Sequence, residues 1–205
     1  MDKYNTVKEE LKVVTYEKKS EFISYISPVK TEKDAQEFLG EIRKRHFDAS
    51  HNCYAYILKD ENIEKQSDDG EPAKTAGMPI LTTLQHSGLE DVIVIVTRYF
   101  GGTLLGTGGL VRAYTNATKA VIENSEIVSY NLCVDLIINI DYSLYDKLML
   151  LAKNNNAKIL NTIYKDNIEV TFRTISGTQN NLIEEIKELT KGKEPLVTDE
   201  FLEIF

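Results

Sequence analysis

The chain is poor in the residues from which metal centres and disulfide frameworks are built. Its three histidines, His46, His51 and His86, include no His-x-x-x-His pair, and its two cysteines, Cys53 and Cys133, form no Cys-x-x-Cys. The usual zinc boxes and the disulfide scaffolds of small secreted domains are thereby excluded, and both cysteines are expected to be buried free thiols of a reducing compartment. No apolar run reaches the roughly 18 residues of a membrane-spanning helix, and the polar start Met1-Asp2-Lys3-Tyr4-Asn5-Thr6 lacks the apolar core of a signal peptide. A cytoplasmic location with no membrane partner is expected. Basic charge is also in deficit, with 24 Lys and Arg against 32 Asp and Glu and a net charge of −8. The deficit is shared evenly between the two halves of the chain, so no basic face supports general nucleic-acid binding, and any RNA contact has to be local. Serine-hydrolase elbows, Walker A loops and dinucleotide fingerprints are all absent. No metal and no cofactor are expected.

Glycine, by contrast, is concentrated in one place. Five of the 11 glycines, Gly101, Gly102, Gly106, Gly108 and Gly109, lie in the segment Arg98-Tyr99-Phe100-Gly101-Gly102-Thr103-Leu104-Leu105-Gly106-Thr107-Gly108-Gly109-Leu110-Val111-Arg112. This run is entered from the apolar Val92–Val96 and left through the helix-like Leu110–Glu123. Strand, backbone-exposing turn and helix start in that order make an anion site, because glycines leave N–H groups unobstructed and the helix start adds unpaired donors. Arg98 and Arg112 flank the loop and supply charge. A second unusual segment, Ser67-Asp68-Asp69-Gly70-Glu71-Pro72-Ala73-Lys74-Thr75-Ala76-Gly77, places three carboxylates ahead of an apolar helix. Asp68-Asp69-Gly70 reads as a turn, and Thr75 reads as the cap of a helix over 75–85.

Hydrophobic periodicity divides the chain at 1–128 and 129–205. The first part reads as strands over 10–18 and 20–29, a helix over 31–46 with Phe38, Leu39 and Ile42 on one face, strands over 53–58 and 92–97, and helices over 75–85 and 110–124. The basic cluster Arg43-Lys44-Arg45-His46 fits the cationic end of the first helix. The second part reads strand (132–140), helix (144–154), strand (157–164), strand (168–175), helix (178–190), strand (196–204), which is the ferredoxin-like βαββαβ order. The fold class is α+β, with an α/β sandwich followed by a ferredoxin-like domain.

The Asp68-Asp69-Gly70-Glu71-Pro72 and Arg98-Tyr99-Phe100-Gly101-Gly102…Leu105-Gly106-Thr107-Gly108-Gly109-Leu110-Val111-Arg112-Ala113-Tyr114 motifs, with the strand Asn52–Tyr56 after His51, resemble those of the YigZ/IMPACT family over most of residues 20–125. The rest of the chain is similar to its bacterial two-domain members. Lys74 stands where the bacterial pattern has glycine, adding a charge beside the acidic cluster, so the residue type there does not call for a positive φ. The resemblance implies an N-terminal domain similar to the second domain of a small-subunit ribosomal protein and a C-terminal domain similar to the last domain of elongation factor G. It also implies a link to the regulation of translation.

Two functions are compatible with these residues. In the first, the chain recognises and does not turn over. Arg98, Tyr99, the five glycines and Arg112 bind a phosphorylated ligand, RNA or the ribosome, while Asp68, Asp69 and Glu71 meet a cation or a basic protein partner. In the second, His51, Asp68, Asp69 and Glu71 supply acid and base to an enzyme whose glycine loop cradles an oxyanion or phosphate. Tyr54, Tyr56, Tyr99, Phe100 and Tyr114 either line a stacking groove or pack as core, with Phe100 and Tyr54 assigned to the core and Tyr99 to the surface. Cys53 shares a strand face with His51 and is read as core.

Overall fold

Alternation in the first half of the chain builds an antiparallel sheet that buries both faces. The computed structural model describes residues 3–205, so Met1 and Asp2 of the polar start lie outside the described residues. After β1 (Tyr4–Val7) come β2 (Leu11–Glu17), β3 (Ser20–Pro28), α1 (Glu32–Arg45), β4 (His51–Leu58), β5 (Ile63–Ser67), α2 (Gly77–Ser87), β6 (Val92–Tyr99) and α3 (Thr107–Glu123). The five strands run in the order β2-β3-β6-β4-β5. Even-numbered residues of β6, Val92, Val94 and Val96, pack with Ile80 and Leu84 of α2 and with Leu110, Ala113, Tyr114, Ala117 and Val121 of α3. Odd-numbered Ile93 and Ile95 pack with Ala35, Leu39 and Ile42 of α1. A strand buried on both faces reads as a continuous apolar run, and Val92–Val96 does so.

Local chemistry sets the helix ends. Thr31 caps α1, its hydroxyl accepting from the Asp34 N–H while the Asp34 carboxylate returns the bond, and Arg43, Lys44 and Arg45 occupy the last turn. The start of α2 is capped from a distance. Ala76 is its N-cap without a side-chain bond of its own, and the Thr75 hydroxyl donates to the Pro72 carbonyl instead. The expectation that Thr75 caps this helix is therefore corrected: the acceptor is the Asp68 carboxylate, described below. The expected helix over 110–124 begins earlier, at Thr107, so Gly108 and Gly109 are helical residues. Two short strands, β1 and β5, have too little apolar alternation to stand out in the sequence.

Contacts divide the chain into two compact units, Tyr4–Val128 and Ser129–Phe205. The second contains most of β7 (Ile127–Ile140), a 3-10 turn at Tyr142–Leu144, α4 (Tyr145–Asn154), β8 (Lys158–Tyr164), β9 (Ile168–Ile175), α5 (Gln179–Thr190), β10 (Leu196–Val197) and β11 (Phe201–Ile204). β10 and β11 pair with β7, which pairs with β9, which pairs with β8. This is the ferredoxin-like arrangement. Alternate residues Leu136, Ile138 and Ile140 of β7 and Ile168, Val170 and Phe172 of β9 meet Leu148 and Ala152 of α4 and Leu182 and Ile186 of α5. The last strand, read from the sequence as one run over 196–204, is interrupted between Val197 and Phe201.

Candidate functional site

Register brings His51, Arg98 and Phe22 to one face of the sheet. His51 opens β4 and lies directly opposite Arg98 of β6, which in turn lies opposite Phe22 of β3. Paired residues point to the same side, here the side covered by α2 and α3. Arg98 is buried, at 5% exposure. Its Nη1 donates to Glu71 Oε1 at 2.7 Å and its Nη2 to the Ser20 hydroxyl at 3.4 Å, while its Nε has no partner among the described residues. The guanidinium lies 5.5 Å from the Phe22 ring centroid and 5.7 Å from that of Phe100. Tyr114 of α3 donates its hydroxyl to the same Glu71 Oε1 at 2.8 Å, and burial pushes its phenol far above the usual range. Cys53, two residues along β4 from His51, donates its thiol to the Asp68 carbonyl. Burial raises its pKa well above the ordinary thiol value, so it is an inert core group. Both cysteines are free and buried.

The acidic loop is organised around a turn whose two central residues are left-handed. Asp69 has φ 43° and Gly70 φ 90°, and the Glu71 N–H donates to the Asp68 carbonyl at 2.9 Å, as in a type I′ turn. Each carboxylate then has its own internal partner. Asp68 Oδ1 accepts from the Ala76 and Gly77 N–H groups at 3.0 and 2.8 Å, and Oδ2 accepts from the Lys74 N–H at 2.8 Å. Asp69 accepts from Arg43 Nη2 at 2.6 Å and from the Asn52 N–H at 2.7 Å. Glu71 holds Arg98. Among the described residues no three carboxylate, imidazole or thiol groups converge as metal ligands. Lys74, which stands in place of a glycine, is left-handed all the same, with φ 62°. The Asp68 bond to its N–H holds it in that conformation without a glycine.

The glycine-rich loop has a different economy. Gly101 is required by close approach, since a Cβ there would lie 2.0 Å from the Lys19 carbonyl; its N–H donates to the Ser20 hydroxyl. Gly106, at φ 71°, is the N-cap of α3, and neither a side-chain cap nor an acidic residue occupies the first turn. The start of α3 thus presents unpaired N–H groups and the positive end of a 17-residue dipole. These donors open into a pocket of about 550 Å³ whose lining includes His51, Glu71, Arg98, Phe100, Leu104 and Thr107. His51 donates from Nδ1 to the Asp69 carbonyl at 2.9 Å, because a carbonyl only accepts, and this leaves Nε2 3.8 Å from Glu71 Oε2. Gly102 is exposed at φ 81°. Gly108 is likewise exposed and Gly109 sits against Leu105.

Of the residues singled out in the sequence, His51, Glu71, Arg98 and Gly106 come together at this pocket. Asp68 and Asp69 support it from behind. Arg112 is exposed on α3 and is not among its lining residues. Tyr99 points to the α1 face, where its hydroxyl meets His46 Nδ1 and Asp48 Oδ1, both at 2.9 Å. Alternation along β6 separates it from Arg98. Tyr54 also belongs to that face, stacked on Tyr56, whereas Phe100, assigned to the core from the sequence, is half exposed. Ser20, Leu104 and Thr107 were not singled out, and only their proximity to the motifs could have marked them.

A buried Arg–Glu pair lining a pocket at an uncapped helix start, in a three-layer α/β unit followed by a ferredoxin-like unit, defines a two-part α+β protein. Comparison with known proteins supplies the rest. The Impact N-terminal domain profile matches residues 18–122 and a domain of unknown function (DUF1949) matches residues 138–193. The chain is 37% identical over 191 residues to the IMPACT family member YvyE of Bacillus subtilis (strain 168), covering 93% of this chain and 88% of that protein. It is 36% identical over 181 residues to an IMPACT family member of Haemophilus influenzae, covering 86% and 87%. A crystal structure of an hypothetical protein superposes with a TM-score of 0.62 at 27% identity, covering 100% of this chain and 98% of that one. The chain belongs to the IMPACT family. Among the described residues no helix is long and apolar enough to cross a membrane.

Proposed function

We propose that this protein is a translation-linked regulator whose N-terminal domain, drawn at residues 1–128, binds RNA of the translation machinery through a phosphate held at the start of α3. The observation that carries this reading is the uncapped, acid-free first turn of α3 opening into the pocket above Arg98 and Glu71. Backbone donors at a helix start need no basic surface, which suits a chain of net charge −8. Arg98 contributes field and shape, with its guanidinium already bonded to Glu71, and the exposed Arg112 meets a neighbouring phosphate. The translation link rests on the family resemblance.

Co-sedimentation with ribosomes at low and high salt tests the reading. Retention of the wild type is expected at low salt, with a shallow salt dependence because few phosphates are neutralised by side chains. Gly108→Glu, which places a carboxylate in the first turn of α3, should abolish retention. Absence of wild-type retention at low salt sinks the proposal.

A second reading is favoured by one observation, the His51 imidazole held through Nδ1 with its Nε2 directed toward Glu71 and the pocket. A general base is oriented in this way in hydrolytic enzymes. It predicts turnover of a bound phosphorylated ligand that His51→Ala abolishes while binding persists.

A further inference from the structure

Glu71 uses one of its two carboxylate oxygens. Oε1 accepts from Arg98 and Tyr114, whereas Oε2 accepts no hydrogen bond among the described residues and lies 3.8 Å from His51 Nε2. Oε2 is not one of the fully enclosed side-chain atoms that lack a partner, so it is reached from the pocket that Glu71 lines, and an open carboxylate oxygen there is an acceptor for a ligand that brings a donor. The other walls narrow the ligand's chemistry. Pro72, Leu105 and Leu110 are apolar, and the loop sets a half-exposed Phe100 and Leu104, 83% exposed, at the same pocket. Exposing two large apolar side chains beside buried charge suits a planar, weakly polar group lying against them. The third wall is the donor-rich start of α3 with Thr107.

One ligand class satisfies all three walls: a phosphate for the helix start, a sugar hydroxyl for Glu71 Oε2, and a base for Phe100 and Leu104. Dinucleotide sites divide the work in the same way, with an acid on the ribose hydroxyl and phosphate on a helix start. A volume of about 550 Å³ holds a small-molecule-sized group and not a duplex. We propose that the pocket takes a single unpaired ribonucleotide of the RNA and reads its 2′-hydroxyl through Glu71 Oε2. The inference rests on the phosphate-binding reading above and adds discrimination of RNA from DNA, for which the 2′-hydroxyl is the distinguishing group.

Fluorescence anisotropy with labelled single-stranded oligonucleotides of one sequence, as RNA, DNA and 2′-O-methyl RNA, tests it without perturbing the buried Glu71–Arg98 pair. RNA should bind at least about tenfold more tightly than either analogue. Phe100→Ala, at a half-exposed position, should lower RNA affinity about tenfold at unchanged melting temperature. Equal binding of RNA and DNA overturns the sugar reading and leaves phosphate recognition standing. Binding of neither overturns both. An RNA preference that Phe100→Ala leaves undiminished lies outside this pocket and also overturns the proposal.

Discussion

The acidic loop and the glycine-rich loop meet at one pocket but treat their polar groups in opposite ways. Asp68, Asp69 and Glu71 are engaged internally, with backbone N–H groups of the α2 start, with Arg43 and with Arg98. The glycine loop anchors Gly101 to Ser20 and leaves the start of α3 without a side-chain partner. Asp68 and Asp69 of the acidic loop thus act largely as scaffold, and the glycine loop holds the open donors. A carboxylate aligns a neighbouring segment by accepting its N–H groups, and glycines clear a backbone for a ligand. Of the three carboxylates, Glu71 alone keeps an oxygen without a hydrogen bond among the described residues.

The comparison can be broken most forcefully at the buried pair. Arg98→Ala leaves Glu71 charged and unpaired, and should cost about 3–5 kcal/mol in a denaturant melt; Arg98→Met with Glu71→Gln should recover about half of that, because both charges are then removed. A double mutant no better than the single would mean that the pair is not the structural centre of the site. Asp68→Ala removes the acceptor for three N–H groups at the α2 start and should cost about 1–3 kcal/mol. Wild-type stability in that variant would return the acidic loop to the role of a solvated turn.

The opposite face of β6 serves as a control. Burial first, and then the Asp48 carboxylate, push the Tyr99 phenol up to about 12, above the value of about 10 it has when unfolded. Its neutral form contributes stability that is complete below about pH 10 and is lost as pH rises toward 12. Melting temperature should fall less steeply across that window in Tyr99→Phe than in the wild type, and RNA binding at neutral pH should not change. The smallest effect on stability belongs to the glycine loop. A Cβ at Gly108 meets nothing within 4 Å, so Gly108→Glu should raise stability by about 0.3–1 kcal/mol through the helix dipole while eliminating phosphate binding. A variant that both melts higher and binds less would separate the two loops cleanly.

Much of the architecture was legible in the sequence. Alternation marked β2, β3, β8 and β9 nearly to the residue, and the 3.6-residue period marked α1, α4 and α5, each of which buries one face. β5 escaped because Ile63–Ser67 is nearly all polar and is defined by pairing with β4, a long-range fact. The start of α3 was misplaced by three residues because Gly108 and Gly109 have low helix propensity and are kept helical by the apolar turns from Leu110 onward. The pocket was partly legible: the motifs named His51, Glu71, Arg98 and the glycines. The separation of Tyr99 from Arg98 follows from alternation along β6, but burial of Arg98 and the inward turn of Glu71 depend on register across three strands. No single-chain pattern shows that. Lys74 taught the converse, since a lysine occupies a left-handed position when a neighbouring carboxylate accepts from its amide.

Gly101 ties the glycine loop to the turn between β2 and β3, where Lys18 and Lys19 are both left-handed and the Lys19 carbonyl leaves no room for a side chain on Gly101. The loop is consequently a hasp, pinned at its entry by a hairpin tip from far earlier in the chain and open at the far end where Leu104 stands in solvent. Lengthening or retyping that tip would move the pin without altering any residue of the pocket. In this fold the entry of the glycine loop is positioned from a hairpin tip that lies outside the pocket lining.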